Sequence, residues 1–393
     1  MIKSIVQIFS AHVVAKAIGL LTFIIIIEFL SLEQFGKYSY FLIVLNLMGV
    51  IVDPFTASYL VDFKTESFKK YNLGIFSISL ILLPVFFGVL YFLKLPLNVE
   101  VFMLFGFTFL MSVMLKSFLN TYESFFNYGL IDVFRQISIF FSTITYFCIY
   151  ENYDYIFLLK VNYSIAFLTM LLLVPIYINK DFIFFDVSFS TLKNLFYKSR
   201  YLIFYTAFIP IFSFLDSYFV SKSLTERDLG LYSFSLKVYN MSLMLVVPMF
   251  TVLNIKQIEI VKKNAYAFFV KEKVRKVLLF STCIFILFLV ANYILLNHIY
   301  IDYKESIINT TILLFGSYIT YSSLPFSFLI AYKEYKVLFA IAVLAIGINI
   351  LLNTLFIEKY GTFIAATSTL LSQIIINLGS VIASFIIFKS IKK

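Results

Sequence analysis

The chain has 393 residues, of which 62% are hydrophobic and only 13% are charged, and its formal net charge is +10. A soluble protein of this length needs far more charged surface, so the composition excludes a soluble globular protein and predicts an integral membrane protein. Its cations suit the cytoplasmic side of a membrane and anionic lipid headgroups, and we expect no nucleic-acid partner.

The apolar runs predict about twelve membrane-spanning helices, because each run is long enough to cross roughly 30 Å of hydrocarbon. The first run is too long for a signal peptide, and no small-residue cleavage site follows it, so we expect it to be retained. The predicted spans cover residues 4–30, 38–61, 71–93, 99–119, 128–150, 155–178, 201–221, 229–253, 274–296, 306–331, 337–357 and 362–388.

The Lys and Arg residues orient these spans. With both termini in the cytoplasm, about 20 of them fall on the cytoplasmic side and about six outside. This bias predicts a multi-pass protein with both termini cytoplasmic.

A short motif near the start of the chain recurs in its second half. The copies EQFGKYSYF, from Glu33, and RDLGLYSFS, from Arg227, are offset by 194 residues. Six predicted spans separate them, so the halves share one orientation across the membrane, which indicates a parallel repeat. Chance similarity between two aromatic-rich loops is the alternative. The candidate hinge or structural positions at this offset are Gly36, Tyr38, Pro54, Gly230, Tyr232 and Pro248.

The repeat predicts an all-α membrane protein made of two six-helix bundles. Residues 1–178 are expected to form the N-terminal bundle, 179–200 a cytoplasmic linker and 201–393 the C-terminal bundle. Where two such halves rock against each other, the ligand site lies between them.

Charged residues inside predicted spans are costly and therefore face a cavity or a partner. We expect Lys116 to extend to the headgroups. Asp132 and Arg135, three residues apart, have two interpretations, a simple ion pair or cavity groups. Lys16, Lys160 and Lys237 have no acid at helical spacing on their own helices. The cations outnumber the acids, and a water-filled cavity with such a lining prefers an anion. The candidate cargo-binding cations are Lys16, Arg135, Lys160 and Lys237, and the candidate ion-coupling acids are Asp53, Asp132 and Asp216.

The last predicted span carries a polar stripe that has two interpretations. It lines the cavity, or it holds helices together through hydrogen bonds. The stripe consists of Thr369, Gln373, Asn377, Ser380 and Ser384.

The sequence argues against an enzyme. It contains no DxD or HExxH string and no Gly-rich phosphate loop, so we expect no catalytic residues, no metal site and no nucleotide cofactor. A long polar lining shared by two halves suits a lipid with a bulky charged headgroup, whose apolar part stays in the bilayer.

Three segments resemble one family. Ala15–Asp53 is similar to the amino-terminal region of polysaccharide-biosynthesis flippases, the O-antigen (Wzx-type) and capsule transporters of the multidrug/oligosaccharidyl-lipid/polysaccharide (MOP) exporter superfamily. Phe214–Val238 resembles the seventh and eighth helices of that family, and Leu352–Ser368 resembles its eleventh-to-twelfth connection.

This resemblance implies a MATE/MOP-like architecture with a central cavity, in the bacterial cytoplasmic (inner) membrane. It implies alternating access that moves an undecaprenyl-pyrophosphate-linked oligosaccharide to the outer leaflet, with H⁺ or Na⁺ as coupling ion and a glycan polymerase as a further partner. Asp216 and Lys237 match the family best. Asp53 matches a frequent acid, but Pro54 after it departs from the pattern, which puts a coupling role for Asp53 in doubt.

Two other cargoes stay open. A drug/cation antiporter of the same superfamily would have acids dominating its cavity, and the excess of cations argues against it. A teichoic-acid-type glycolipid exporter would differ only in cargo.

Overall fold

The computed structural model describes residues 2–47, 98–121, 124–151, 153–177, 189–244 and 265–391, with eight further residues at 84, 87, 88, 257, 258, 260, 261 and 263. These residues form helices and connections, without a strand in the described ranges. The α-helices are α1 (Ile2–Phe29), α2 (Leu32–Asn46), α3 (Val99–Thr121), α4 (Phe125–Ile149), α5 (Tyr155–Tyr177), α6 (Phe189–Ser223), α7 (Glu226–Ser242), α8 (Tyr266–Ile294), α9 (Ile307–Ser323), α10 (Tyr335–Tyr360) and α11 (Thr362–Ile391).

The chain divides into two compact units, Met1–Pro210 and Ile211–Lys393. The division falls within α6, which begins at Phe189 and continues to Ser223 without interruption. The described end of the predicted linker, from residue 189 to 200, is therefore helical.

In the first unit, α1 packs along α4 through small and branched side chains. Ala11, Ala15 and Val133 form a buried cluster, and Gly19 lies against Gln136, whose Oε1 is 3.4 Å from the position that a Cβ would take. On its other faces α4 packs with α3 and α5. Their shared core is formed by Leu115, Leu119, Ile131, Met170 and Leu173. Close packing of this kind replaces the hydrophobic effect inside a bilayer.

The repeated motif lies in the first three turns of two matched helices, α2 and α7. The hydroxyl of Ser31 caps α2 by accepting from the Gln34 backbone N–H at 3.3 Å, and Thr225, exactly one repeat offset later, caps α7 in a capping box with Asp228. These hydroxyls satisfy N–H groups that a helix start leaves free. The repeat thus extends to the capping residues, which the quoted motifs did not include.

The tenth predicted span, residues 306–331, is wrong as a continuous helix. α9 ends at Ser323, a 3₁₀ turn at Leu324–Phe326 follows, and the chain is extended at Ser327. The carbonyls freed by this break accept hydrogen bonds from Gln257 Nε2, 3.1 Å from the Pro325 oxygen, and the Phe328 N–H donates to Ser384 at 2.8 Å. Irregular backbone at membrane depth requires such partners.

α10 and α11 are joined at Gly361, whose φ of 59° and ψ of −146° are accessible to glycine and strained for other residues. The tight reversal lets the two helices run antiparallel and side by side. This geometry brings Asn349 and Asn353 of α10 within hydrogen-bond distance of Ser368 of α11.

Five of the described helical segments are long and apolar enough to cross a membrane. They are Val99–Lys116, Tyr155–Tyr177, Tyr266–Ile299, Tyr335–Tyr360 and Thr362–Ser390. Each coincides with a predicted span.

We expect Gly361→Ala to lower the free energy of unfolding by about 1–3 kcal/mol, because alanine is strained at this φ and ψ. Gly347→Ala is the matched control, since a Cβ at this helical glycine of α10 meets no atom within 4 Å. The control should be neutral or stabilising by up to about 1 kcal/mol. Chemical denaturation of the purified protein in detergent micelles measures both, and equal stabilities of the two variants would contradict the assigned turn.

Candidate ion and anion sites

The second unit buries one carboxylate, Asp216, among polar side chains from three other helices. Asp216 lies on α6 and is 0% exposed. Tyr232 of α7, Asn349 and Asn353 of α10, and Thr369 of α11 all direct donors at it. A charge inside a membrane protein is tolerated when it is paired or hydrogen-bonded in this way.

The donors divide between the two carboxylate oxygens. Oδ1 accepts from Asn349 Nδ2 at 2.9 Å and from Asn353 Nδ2 at 3.1 Å, and the Ser368 hydroxyl is 3.5 Å away. Oδ2 accepts from the Tyr232 hydroxyl at 3.1 Å and from the Thr369 hydroxyl in a very short contact. The cluster therefore stabilises the ionised carboxylate.

Asp216 and three of the residues that donate to it lie at one depth. Asp216, Asn353 and Thr369 are each seven residues, and Tyr232 six residues, from the end of their helix on the same side of the unit. At a rise of 1.5 Å per residue, the site lies about 10 Å inside that end. With the predicted topology, this is the outer end of the unit.

Several buried polar atoms on the helices that meet at Asp216 have no hydrogen-bond partner within the described structure. They include the Oδ1 of Asn353, which is an acceptor in the same cluster, and the hydroxyl of Tyr239, which interacts electrostatically with Asp216. Ser217 and Ser233, which are adjacent in sequence to Asp216 and Tyr232, also carry such hydroxyls. The unsatisfied Oδ1 of Asn353 and the hydroxyl of Tyr239 make this cluster a candidate site for a small monovalent cation or a proton.

The first unit has a neutral counterpart at the corresponding repeat position. Thr22 is one repeat offset before Asp216, and its hydroxyl donates to the Ile18 carbonyl of its own helix at 2.9 Å. The polar contacts between α4 and α5 also lack charge: Ser142 and Thr143 donate to Asn162 at 2.7 and 3.2 Å. Among the described residues, a buried acid surrounded by neutral oxygens is therefore found at this repeat position in the second unit and not in the first.

The first unit contains a different charged cluster, which joins α1, α3 and α4. Asp132 Oδ2 is 2.7 Å from the Lys116 ammonium, and its Oδ1 is 3.2 Å from Arg135 Nη2. Lys16 interacts electrostatically with all three residues. The expectation that Lys116 extends to the headgroups is wrong, because it turns inward to Asp132 and lies 5.5 Å from the centre of the Tyr128 ring.

This cluster, defined as Lys16, Lys116, Asp132 and Arg135, holds three cations against one carboxylate. Asp132 is buried, whereas the side chains of Lys116 and Arg135 keep 23% and 26% of their surface exposed. The side chains of Lys116 and Arg135 are therefore partly exposed, while the carboxylate is more deeply buried. Asp132 and Arg135 do pair on one helix, which was one of the two sequence interpretations.

The other two candidate cations have separate positions. Lys160, near the start of α5, forms an ion pair with Glu100 at the start of α3, so an acid on a neighbouring helix supplies the partner that its own helix lacks. Lys237 is half-buried on α7. The structure does not bring Lys160 into the cluster around Asp132.

The remaining candidates are structural positions or lie outside the described residues. Gly36, Tyr38, Gly230 and Tyr232 are buried inside α2 and α7, and both glycines are helical. Asp53, Pro54 and Pro248 fall outside the described residues, so their roles stay predictions.

The polar stripe of α11 has a mixed role. Thr369 belongs to the Asp216 site, whereas Gln373 and Asn377 bond with Thr320 of α9, and Ser384 accepts from the Phe328 N–H. The interhelical interpretation therefore holds for most of the stripe.

Sequence reasoning missed Asn349, Asn353 and Ser368 because it searched for charges, and α10 and α11 carry none in their interiors. The signal was present: two asparagines four residues apart lie on one face of an otherwise apolar helix. Polar side chains repeated at this spacing inside a span mark an interaction face.

Comparison with solved structures identifies the fold. A crystal structure of a mutant MATE protein superposes with a TM-score of 0.67 at 10% identity, covering 99% of this chain and 96% of that one. An outward-facing multidrug resistance MATE family transporter of the MOP superfamily gives 0.64 at 10% identity over 100% and 96%. A MOP superfamily transporter from Pyrococcus furiosus, described as having a binding pocket of reversed polarity that suggests a different function, gives 0.65 at 11% identity over 100% and 96%.

The chain has the MATE/MOP transporter fold. The predicted fold class, an all-α membrane protein of about 12 transmembrane helices, is thereby confirmed, and the chain is a multi-pass membrane protein. No family model and no curated protein matches its sequence. The likeness at this level of identity concerns the fold, and the solved proteins that share it are transporters.

We expect Asp216→Leu to destabilise the purified protein by about 3–5 kcal/mol, because it leaves the donors of Tyr232, Asn349, Asn353 and Thr369 buried without their acceptor. Thr22→Val, at the matching repeat position, removes only a bond within one helix and should cost about 1 kcal/mol or less. Denaturation in detergent micelles measures both changes. A stability of Asp216→Leu equal to that of Thr22→Val would contradict the described network.

Proposed function

We propose that this protein is a MOP-type flippase for a lipid-linked oligosaccharide. Its cargo is an undecaprenyl-pyrophosphate-linked O-antigen or capsule repeat unit, which moves from the cytoplasmic to the outer leaflet by alternating access. The observation that carries the proposal is the accessible excess of positive charge around Asp132, formed by Lys16, Lys116 and Arg135.

An excess of two positive charges is unfavourable inside a membrane unless an anion balances it. The cluster lies five residues from the end of α3 and seven from the start of α4, about 8–10 Å inside the predicted cytoplasmic end of these helices. A diphosphate that enters from the cytoplasmic leaflet supplies the missing negative charge at this depth. The uncharged polyprenyl chain stays in the lipid, so only the headgroup needs a polar path.

Lys237 and Lys160 have secondary parts in this proposal. Lys237 is half-buried on α7 of the second unit and is kept as a cargo contact on the strength of the family resemblance. Lys160 is paired with Glu100 at the predicted outer end of α5, so it fits a contact with the headgroup late in transport.

The energy source that we propose is a cation gradient acting at Asp216. One carboxylate with several neutral oxygens suits a monovalent ion, whereas divalent ions such as Ca²⁺ prefer more acidic ligand sets. Proton or Na⁺ binding neutralises Asp216 and weakens its hold on donors from α7, α10 and α11, which links ion binding to the packing of four helices. Asp132 suits this role less well because two cations already neutralise it.

A drug antiporter is the second candidate, since one solved relative of the fold is described as a multidrug resistance transporter. The net charge of the cluster favours an anionic cargo over the cationic one that an acid-lined cavity binds. The relative from Pyrococcus furiosus is described as having a pocket of reversed polarity. Pocket polarity therefore separates proteins that share this fold. A teichoic-acid-type glycolipid exporter has the same phosphate chemistry and differs in the attached polymer.

The proposed partners follow from the cargo. The protein contacts membrane lipid and the lipid-linked oligosaccharide, and the flipped product is a substrate for a glycan polymerase on the outer side. The proposed location is the bacterial inner membrane with both termini cytoplasmic.

Flipping in proteoliposomes tests the proposal. A fluorescent undecaprenyl-pyrophosphate-linked oligosaccharide should cross faster under an imposed Na⁺ or H⁺ gradient, each applied without the other. We expect Lys16→Ala and Lys237→Ala to slow flipping at least ~10-fold, because each removes a charge that holds the phosphates. Asp216→Asn should remove the response to the gradient.

The control is Lys222→Ala, which removes an exposed lysine near the end of α6. It should flip cargo at the wild-type rate. Wild-type rates for both Lys16→Ala and Lys237→Ala would contradict the proposal, as would transport of cationic drugs without transport of the lipid-linked cargo.

A further inference from the structure

The cluster around Asp132 contains its own internal anion. Asp132 places one carboxylate oxygen 2.7 Å from the Lys116 ammonium and the other 3.2 Å from the Arg135 guanidinium. A carboxylate that bridges two cations in this way occupies the position that two phosphate oxygens would take. Arg and Lys recognise carboxylate and phosphate through the same charge-assisted hydrogen bonds.

The three helices hold the cations in different ways. Arg135 lies one turn after Asp132 on α4, so its pairing is local. Lys116 comes from α3 and is positioned beside the Tyr128 ring at 5.5 Å. Lys16 comes from α1, whose Ala11 and Ala15 pack against Val133 of α4 and thereby fix the spacing of the two helices.

The charges of this cluster do not balance. Within the described structure, Asp132 is the carboxylate that these three cations share, and the sum of the four charges is +2. A network with a purely structural role would gain most from neutrality, because each uncompensated charge in the membrane interior costs several kcal/mol. The excess matches the two or three negative charges of a diphosphate group.

We propose that Asp132 is an exchangeable counter-ion: a diphosphate displaces its carboxylate from Lys116 and Arg135, with Lys16 as the third contact, and the carboxylate takes these cations back when the cargo leaves. The inference rests on the proposed function for the identity of the cargo and adds Lys116 to the cargo-binding residues. Exchange of one anion for another keeps both Lys116 and Arg135 paired with an anion during binding and release. Asp132 thus sets how tightly the cargo is held and assists its release.

This exchange makes an unusual prediction, in which removal of an acid tightens binding. Inorganic pyrophosphate is titrated into the purified full-length protein in detergent, and its dissociation constant is measured by calorimetry. Asp132→Asn removes the competitor and should bind pyrophosphate ~10-fold more tightly, whereas Lys116→Gln and Arg135→Gln should each bind it ~10-fold more weakly. Pyrophosphate binding by Asp132→Asn that is equal to or weaker than wild type would overturn the inference.

Glu305→Gln is the matched control, because it breaks an exposed pair in which Glu305 Oε1 lies 2.7 Å from Arg227 Nη2. Its affinity for pyrophosphate should equal that of the wild type. A gain in affinity for Glu305→Gln as large as that for Asp132→Asn would show that net charge alone is responsible and would overturn the exchange.

A second titration separates a lipid headgroup from a free diphosphate. Undecaprenyl pyrophosphate in nanodiscs should show the same order of affinities, with undecaprenol unable to compete. An order seen only with inorganic pyrophosphate would assign the site to a soluble diphosphate and overturn its link to the cargo. If the order holds with the lipid but proteoliposomes do not flip the oligosaccharide, the proposed function fails while the exchange at Asp132 stands.

Discussion

The second unit is organised around one buried carboxylate that three neighbouring helices must satisfy. Asp216 has no exposed surface, and its oxygens accept from Tyr232, Asn349, Asn353 and Thr369. A buried charge without partners at this depth would cost several kcal/mol of stability. The carboxylate of Asp216 therefore constrains which faces of α7, α10 and α11 pack toward α6. The Gly361 turn serves the same arrangement, since it sets two of the donor helices side by side.

The two halves have matched helices, but their buried charged residues differ. Capping hydroxyls at Ser31 and Thr225 start matched helices, and Tyr38 and Tyr232 are buried about two turns later in each. At the position of Asp216, however, the first unit carries Thr22, and its own charges gather around Asp132 at the other end of the helices. In the proposed function, this division gives a cation site to the second unit and an anion site to the first. A transporter that couples two ligands of opposite charge benefits from such a separation, because each site keeps its own ionisation state.

The sequence was most informative where the relevant pattern lies along one chain segment. Apolar runs predicted the membrane fold, the offset motif predicted matched helices, and helical spacing offered the pairing of Asp132 with Arg135 as one of two interpretations. It was least informative about neighbours on different helices. The partners Lys116 and Asp132 are 16 residues apart on α3 and α4, and Lys160 of α5 pairs with Glu100 of α3, with α4 between them in the chain, so no spacing rule connects them.

Neutral groups and irregular backbone also escaped prediction. Asn349 and Asn353 matter because of the acid that they face on α6, which becomes visible only when the helices are packed. The break after Ser323 lies in a run that remains apolar, and it is made possible by Gln257 and Ser384 from elsewhere in the fold. Polar residues in an apolar span thus indicate that an interaction is present, but their partners are known only once the helices are packed in the tertiary structure.

The most direct test of this account is whether Asp216 itself changes state when a cation binds. Infrared difference spectra of the reconstituted protein, recorded on adding Na⁺ at constant pH and on lowering the pH without Na⁺, report the carboxylate bands. We expect one of these two steps to shift a carboxylate band in the wild type and to leave the same region unchanged in Asp216→Asn. Identical difference spectra for the wild type and Asp216→Asn under both conditions would contradict the assignment of Asp216 as the cation site.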